Sequence, residues 1–157
     1  IWEGKYSRRM IVVAQRCSEA KVLVHKKVIA KIKSGVMLLV GVRKGDEYFE
    51  VDKVINKVIN LRIFNDENGK MNLSILDTKG SLMVVSQFTL CGDIRKGRRP
   101  SFINAENPDR GIEIYEYMVS QFRDKGIDTV TGKFGEMMDI DLINQGPATF
   151  IIDSKKL

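Results

Sequence analysis

Two periods of apolar residues run along this chain, and the places where one gives way to the other mark its elements. Met10 to Gln15 (MIVVAQ) is a β-branched apolar run that predicts a strand. Residues 20–24 and 28–32 alternate polar with apolar positions, as half-buried strands do, and His25-Lys26-Lys27 between them reads as a hairpin turn. Residues 35–42 (GVMLLVGV) are apolar throughout and predict a central strand. After Lys44-Gly45-Asp46 the period changes, and Val51, Val54, Ile55 and Val58 recur at helical spacing. The segment 47–61 therefore reads as an amphipathic helix, with Asp46 as its N-cap and Glu47 and Glu50 near its positive end.

Residues 65–70 (NDENGK) read as a turn, 71–76 as a short strand and 81–88 (SLMVVSQF) as a second strongly apolar strand. Asn107-Pro108 has the form of an N-cap followed by proline at the first helical position. Ile112, Tyr115, Val119 and Phe122 then repeat at helical spacing until Gly126, so a second helix is expected over 108–125. Residues 137–143 and 149–152 close the chain as strands. Strands in runs with only two helical interruptions predict an α+β fold: a curved, mostly antiparallel or mixed sheet with both helices packed against it. Residues 10–157 read as a single domain. Residues 1–9 are polar, carry Lys5, Arg8 and Arg9, and precede Met10, so they read as an N-terminal extension or a cloning remnant.

Charge adds one feature to this picture. The net charge is +6, and Arg95-Lys96-Gly97-Arg98-Arg99 places four cations in five residues directly after an apolar strand, which points to phosphate contact. Cys17 and Cys91 show no CxxC or Cys/His spacing, which argues against a zinc site and fits free thiols in a reducing, cytoplasmic setting. No stretch approaches the roughly 20 apolar residues of a membrane-spanning helix.

The familiar catalytic sets are missing. His25 is the only histidine and falls in the hairpin turn, which argues against Ser-His-Asp and Cys-His chemistry. There is no GxxxxGK[ST] or GxGxxG segment and no metal-ligand spacing, so a metal is not expected. Cys91 reads as an inert buried thiol. What remains are Ser86, Gln87, Thr89, Asn144 and Thr149, together with backbone, in two segments at the ends of apolar runs: Ser86-Gln87-Phe88-Thr89-Leu90 and Asn144-Gln145-Gly146-Pro147-Ala148-Thr149. Such groups orient atoms and donate hydrogen bonds but are poor acids and bases. Chemistry built on them needs an activated substrate such as an ester with a good leaving group, helped by orientation and a backbone oxyanion site.

These two segments resemble the signature motifs of the D-aminoacyl-tRNA deacylases (the D-tyrosyl-tRNA deacylase family). Gln15-Arg16, Leu61-Arg62-Ile63-Phe64, Gly69-Lys70-Met71-Asn72, Lys96-Gly97-Arg98-Arg99-Pro100-Ser101-Phe102 and Pro108-Asp109-Arg110 are also similar to runs in that family, so the resemblance spans Met10 to about Asp153. It implies a barrel-like β fold and a cytosolic homodimer without cofactor, which hydrolyses the ester of D-aminoacyl-tRNA and of glycyl-tRNA. It further implies that Gly146-Pro147 is a cis step that enters the partner subunit's pocket and walls off one face of the substrate α-carbon. By the same resemblance Ser86, Gln87, Phe88 and Thr89 line the reacting centre. Either the Thr89 hydroxyl or the terminal 2′-hydroxyl of the tRNA assists the reaction there, and the second route is chemically easier, because a threonine without a neighbouring base is a weak nucleophile. Asn144 and Thr149 flank the Gly-Pro step among the substrate-binding residues, Arg16 fixes the cross-subunit loop or the substrate, and Arg95, Lys96, Arg98 and Arg99 meet acceptor-stem phosphates.

Two positions depart from the family pattern. Ala148 stands where valine is usual, which would loosen packing behind the loop, and Gly111 stands where alanine is usual, beside the expected terminal adenosine. Two other readings stand beside the resemblance: a non-catalytic tRNA-binding module, and a relative relaxed toward mischarged L-aminoacyl-tRNA.

Overall fold

Residues 9–157 are described by the structure, a computed structural model of the chain. Strand β1 (Ile11–Val24) turns into β2 (Lys27–Ile32) and β3 (Gly35–Gly41), followed by helix α1 (Tyr48–Asn60). A two-stranded excursion, β4 (Phe64–Asn65) with β5 (Met71–Leu73), and a short helix α2 (Ile75–Thr78) lead to β6 (Ser81–Ser86). Helix α3 (Pro108–Asp124), β7 (Thr129–Thr131) and β8 (Asp139–Asp153) complete the order.

The main sheet runs β2-β1-β3-β6-β7, with β8 along the other edge of β1. β1 pairs antiparallel with β2, β3 and β8, whereas β3-β6 and β6-β7 are parallel. The sheet is thus mixed, as expected, and its curl brings β2 back toward β6 and β7 in a nearly closed barrel. Side chains alternate across the central strands. Val36, Leu38 and Val40 of β3 and Leu82 and Val84 of β6 meet Val51, Val54 and Ile55 of α1 and Ile114, Met118 and Phe122 of α3. Met37, Met83 and Val85 point the other way, into a second cluster with Cys17, Ala20, Val22 and Ile32. Phe122 is fully buried, so truncating it to alanine would cost about 3–5 kcal/mol.

Several local expectations change. The hairpin turn has two residues rather than three: His25 (φ 49°) and Lys26 (φ 65°) both take left-handed backbone, as the twist of a tight hairpin requires, and Lys27 already opens β2. Residues 16–19 do not interrupt β1, and residues 139–153 form one strand instead of two, because the two pair with each other on both sides of Arg16 and absorb mismatches as bulges. α2 and β7 were not visible as periodic patterns, being only four and three residues long. α2 is set by Ser74, whose hydroxyl accepts from Asp77 N while Asp77 accepts from Ser74 N. α3 begins at Pro108 with Asn107 as its cap, as the sequence indicated. Of the residues read as an extension, 1–8 lie outside the described residues; Arg9 is tied to the domain by its Nε on Asp153 Oδ2 at 2.6 Å.

Asp46 does not cap α1. That position belongs to Glu47, whose N–H donates to the Glu50 carboxylate at 2.7 Å. Asp46 is instead 1% exposed and accepts from Arg9 N and Arg43 N, each at 2.7 Å. Burial pushes its carboxyl up to about 7, against the backbone donors that pull it down. A folded-state value above the ordinary one means that the folded chain holds more protons between about pH 4 and 7, so this group's contribution to stability falls as pH rises through that window. Asp46→Asn removes the dependence. The difference in Tm, wild type minus variant, should shrink or reverse between pH 4 and pH 8, and a pH-independent difference would contradict the assignment.

Candidate active site

β6 carries Ser86 to the rim of the sheet, where Gln87 N–H donates to Val40 O at 2.7 Å and anchors the segment to β3. The chain then winds into a single 3-10 turn, Phe88–Cys91, closed by Leu90 N on Gln87 O at 3.2 Å and Gly92 N on Thr89 O at 3.0 Å. Ser86 and Gln87 are half-buried, while Thr89 is exposed and Phe88 is 56% exposed. The Phe88 ring stands edge-on to Phe102, with centroids 5.1 Å apart. The Gln87 amide donates to the Thr89 hydroxyl. An amide takes no proton at neutral pH, so this arrangement gives Thr89 no base and makes its hydroxyl a weak nucleophile. The thiol of nearby Cys91 is pushed up to about 11 by burial, as is that of Cys17, so both read as inert.

The second segment leaves the sheet while both of its ends stay in it. Gln15 pairs with Thr149 and Cys17 with Asn144, so Arg16 alone on β1 faces four residues, 145–148, on β8. Gln145, Gly146 and Pro147 are exposed, whereas Ala148 is buried. The Gly146-Pro147 peptide is cis, as the family resemblance implied, and Gly146 has φ +120°. Two buried polar side chains of β1 hold this bulge. The Gln15 amide nitrogen donates to Asn144 Oδ1 at 2.6 Å, to Arg16 O at 2.9 Å and to Ala148 O at 3.3 Å, and its oxygen accepts from the Thr149 hydroxyl. Arg16 Nε donates to Gln145 O at 3.0 Å, and its Nη1 donates to Ile63 O at 2.7 Å and Asn65 Oδ1 at 3.4 Å. Arg16 is 5% exposed and finds neutral oxygens instead of a carboxylate, so its charge is held by carbonyl dipoles.

Arg16 therefore fixes the loop of its own chain. Gln15 is the residue that sequence reasoning missed as a site group. Its signal was a pair of long polar side chains inside an otherwise apolar strand run.

Register places the two segments far apart in one chain. Ser86 aligns with Val40, Val40 with Val12, and Val12 with Ile152, while the bulge aligns with Arg16, four residues further along β1. Three strand spacings across and four residues along amount to about 20 Å on the sheet surface. No hydrogen bond joins the two segments among the described residues. Between them lies an apolar strip. Val13 pairs directly with Leu39 and with Ile151, so all three share a face; Ile151 is 76% exposed, and Val13 and Leu39 are half-buried.

The other expected residues scatter. Gly111 lies buried in the first turn of α3, where an added Cβ would sit 3.6 Å from Cζ of Phe134, a residue that lines a cleft of about 470 Å³. Lys96, Arg98 and Arg99 are exposed. Arg95 is clamped to Asp93 through Nε and Nη2 at 2.9 and 2.7 Å, which holds the Asp93 carboxyl well below its ordinary range.

Residues 13–153 match the family model described as D-Tyr-tRNA(Tyr) deacylase. The chain belongs to that family. A D-aminoacyl-tRNA deacylase of Geobacillus sp. (strain WCH70) is 52% identical over 147 residues, covering 94% of this chain and 97% of the relative. One from Thermosipho melanesiensis is 48% identical over 149 residues, covering 94% and 99%. Among solved structures, the c-Myc DNA Unwinding Element Binding Protein superposes with a TM-score of 0.85 at 32% identity, covering 90% of this chain and 97% of that one. The fold is thus that of the deacylase family, and no helix among the described residues is long and apolar enough to cross a membrane.

The bulge has no room for a side chain at its apex. A Cβ on Gly146 would overlap the Arg16 guanidinium, and its φ is one that other residues rarely adopt. Gly146→Ala should lower stability by about 1–3 kcal/mol in urea titration. An unchanged midpoint would contradict the picture of a loop seated on Arg16.

Proposed function

We propose that this chain hydrolyses the ester joining a D-amino acid to the 3′ end of tRNA, releasing the free amino acid and tRNA, and that two copies of the chain share each site. The curated relatives carry the deacylase name over nearly their full lengths at about 50% identity, which supports the reaction class. The shared site rests on one observation: the two signature segments stand about 20 Å apart in a single chain. The partly exposed apolar strip between them, with Ile151 at its open end, supports the same reading. A two-fold axis through Val13, Leu39 and Ile151 would bury the strip against itself and carry the Gly146-Pro147 loop of one protomer to the Ser86–Thr89 turn of its partner.

In this arrangement Ser86, Gln87 and Phe88 shape the reacting centre, and backbone N–H groups of the Phe88–Cys91 turn receive the developing oxyanion. Water adds to the ester carbonyl, the bond to the ribose 3′-oxygen breaks, and the proton passes to that oxygen with the neighbouring 2′-hydroxyl as relay. Thr89 orients rather than attacks. Gly146 and Pro147 present main chain to one face of the α-carbon, which leaves no room for an L side chain while a D side chain points away. Asn144, Thr149 and Arg16 keep that wall rigid. Glycine has nothing to exclude, so glycyl-tRNA is a substrate as well. Gly111 borders the space for the terminal adenosine, and Lys96, Arg98 and Arg99, with Arg95 beside them, face acceptor-stem phosphates.

Incubation with D-tyrosyl-tRNA and L-tyrosyl-tRNA tests the reading: rapid release from D and none from L is expected, while equal rates, or none on D, would overturn it. Thr89→Ala should keep kcat within about tenfold of wild type, as a residue outside the bond-making step does; loss to the uncatalysed rate in a folded variant would give the side chain the nucleophile's role. The likeness to a solved protein named for DNA binding favours one second reading, a nucleic-acid-binding module without ester cleavage. It predicts salt-sensitive tRNA binding with no release of amino acid.

A further inference from the structure

A polar cleft of about 370 Å³ opens beside the Phe88–Cys91 turn, lined by Arg9, Arg43, Cys91, Asp93, Arg95 and Asn104 among others. Its walls are fixed by backbone. Arg43 bridges Ala105, Asp93 bridges Ser101, and the buried Asp46 carboxylate receives the N–H groups of Arg9 and Arg43 together. The cleft also abuts the reacting segment. Cys91 Sγ lies 3.5 Å from Val42 O, and a Cβ at Gly41 would come within 2.9 Å of Leu90 Cβ, so the strand end leading to Arg43 is packed directly on the turn.

Charge distinguishes the three arginines. Arg9 is paired with Asp153 at 2.6 Å and Arg95 with Asp93 at 2.7 Å. The half-buried Arg43 guanidinium forms no ion pair among the described residues; the Asp46 carboxyl, which accepts from the N–H groups of Arg9 and Arg43, feels its charge only through space. A partly desolvated, unpaired guanidinium facing a polar hollow is a site for an oxyanion, and its planar fork suits phosphate. The substrate proposed above brings phosphodiesters to this end of the sheet, one nucleoside away from the reacting ester.

Resting on that reading, we infer that Arg43, with Asn104 across the cleft, binds a phosphodiester of the aminoacylated 3′ strand and positions the ester over the Ser86–Thr89 turn. This contact is distinct from the exposed cations Lys96, Arg98 and Arg99, which do not line the cleft. It acts on affinity for the polynucleotide, not on recognition of the amino acid.

The test compares two substrates, D-tyrosyl-tRNA and phosphate-free D-tyrosyl-adenosine, in wild type, Arg43→Gln and Arg43→Lys. In Arg43→Gln the ratio of KM for the adenosine ester to KM for the tRNA ester should fall about tenfold, with the salt slope of log KM for tRNA reduced by about one; Arg43→Lys should recover most of both. An unchanged ratio and slope in folded variants would overturn the proposal. Binding of uncharged tRNA is measured alongside. If wild type cleaves neither ester, the deacylase reading fails, whereas the Arg43 site still stands or falls on whether Arg43→Gln weakens tRNA binding and flattens its salt dependence.

Discussion

The hydrogen bonds of two neighbouring side chains, Gln15 and Arg16, hold four residues of β8 out of its ladder with β1, and the rest of the site follows from that. A bulge of this size forfeits backbone pairing and exposes main chain. It persists because the Gln15 amide ties both of its feet, Asn144 on one side and Ala148 and Thr149 on the other, while Arg16 reaches its apex at Gln145 and links it to Ile63 after α1. A buried guanidinium satisfied only by neutral oxygens is expensive in a protein interior. Here its donors are spent on presenting backbone carbonyls and a proline ring to the outside in a fixed orientation.

A site made this way reads shape rather than charge. Neither segment offers a carboxylate, imidazole or reactive thiol, and both cysteines are buried with raised pKa values. Selectivity in the proposed reaction therefore comes from where rigid main chain sits, and rate from orientation and backbone donors acting on an ester already prone to hydrolysis. The register of the sheet divides these tasks between its two ends, with the apolar Val13-Leu39-Ile151 strip between them. The proposed pairing of two copies turns that division into a single centre, and covers a strip whose exposure is otherwise costly.

Much of this was legible before any coordinates. Both long helices announce themselves through period and caps, and the central strands through continuous apolar runs. The two signature segments stand out because polar residues and a Gly-Pro step end such runs. Other parts were not legible, for physical reasons. Asp46 looked like a helix cap because local sequence does not show that Arg9, 37 residues away, would claim its carboxylate. The gap left at residues 16–19 between two expected strands vanished because pairing between β1 and β8, a contact between the ends of the chain, overrode local polarity. Gln15 was visible as a residue but not as a clasp, since its partners lie 129 to 134 residues downstream. The gap between the two segments is a property of register, which a single strand pattern does not fix.

The shared site can be read directly with a pair of introduced thiols, one in each segment: Phe88→Cys and Gln145→Cys in the same chain. Cys17 and Cys91 are buried and give little background with maleimides. A short bismaleimide should link the new thiols between chains and yield a covalent dimer on denaturing gels, because about 20 Å of sheet separates them within one chain. A link formed within single chains, or a protein that stays monomeric and unlinked at concentrations where it is active, would contradict the account.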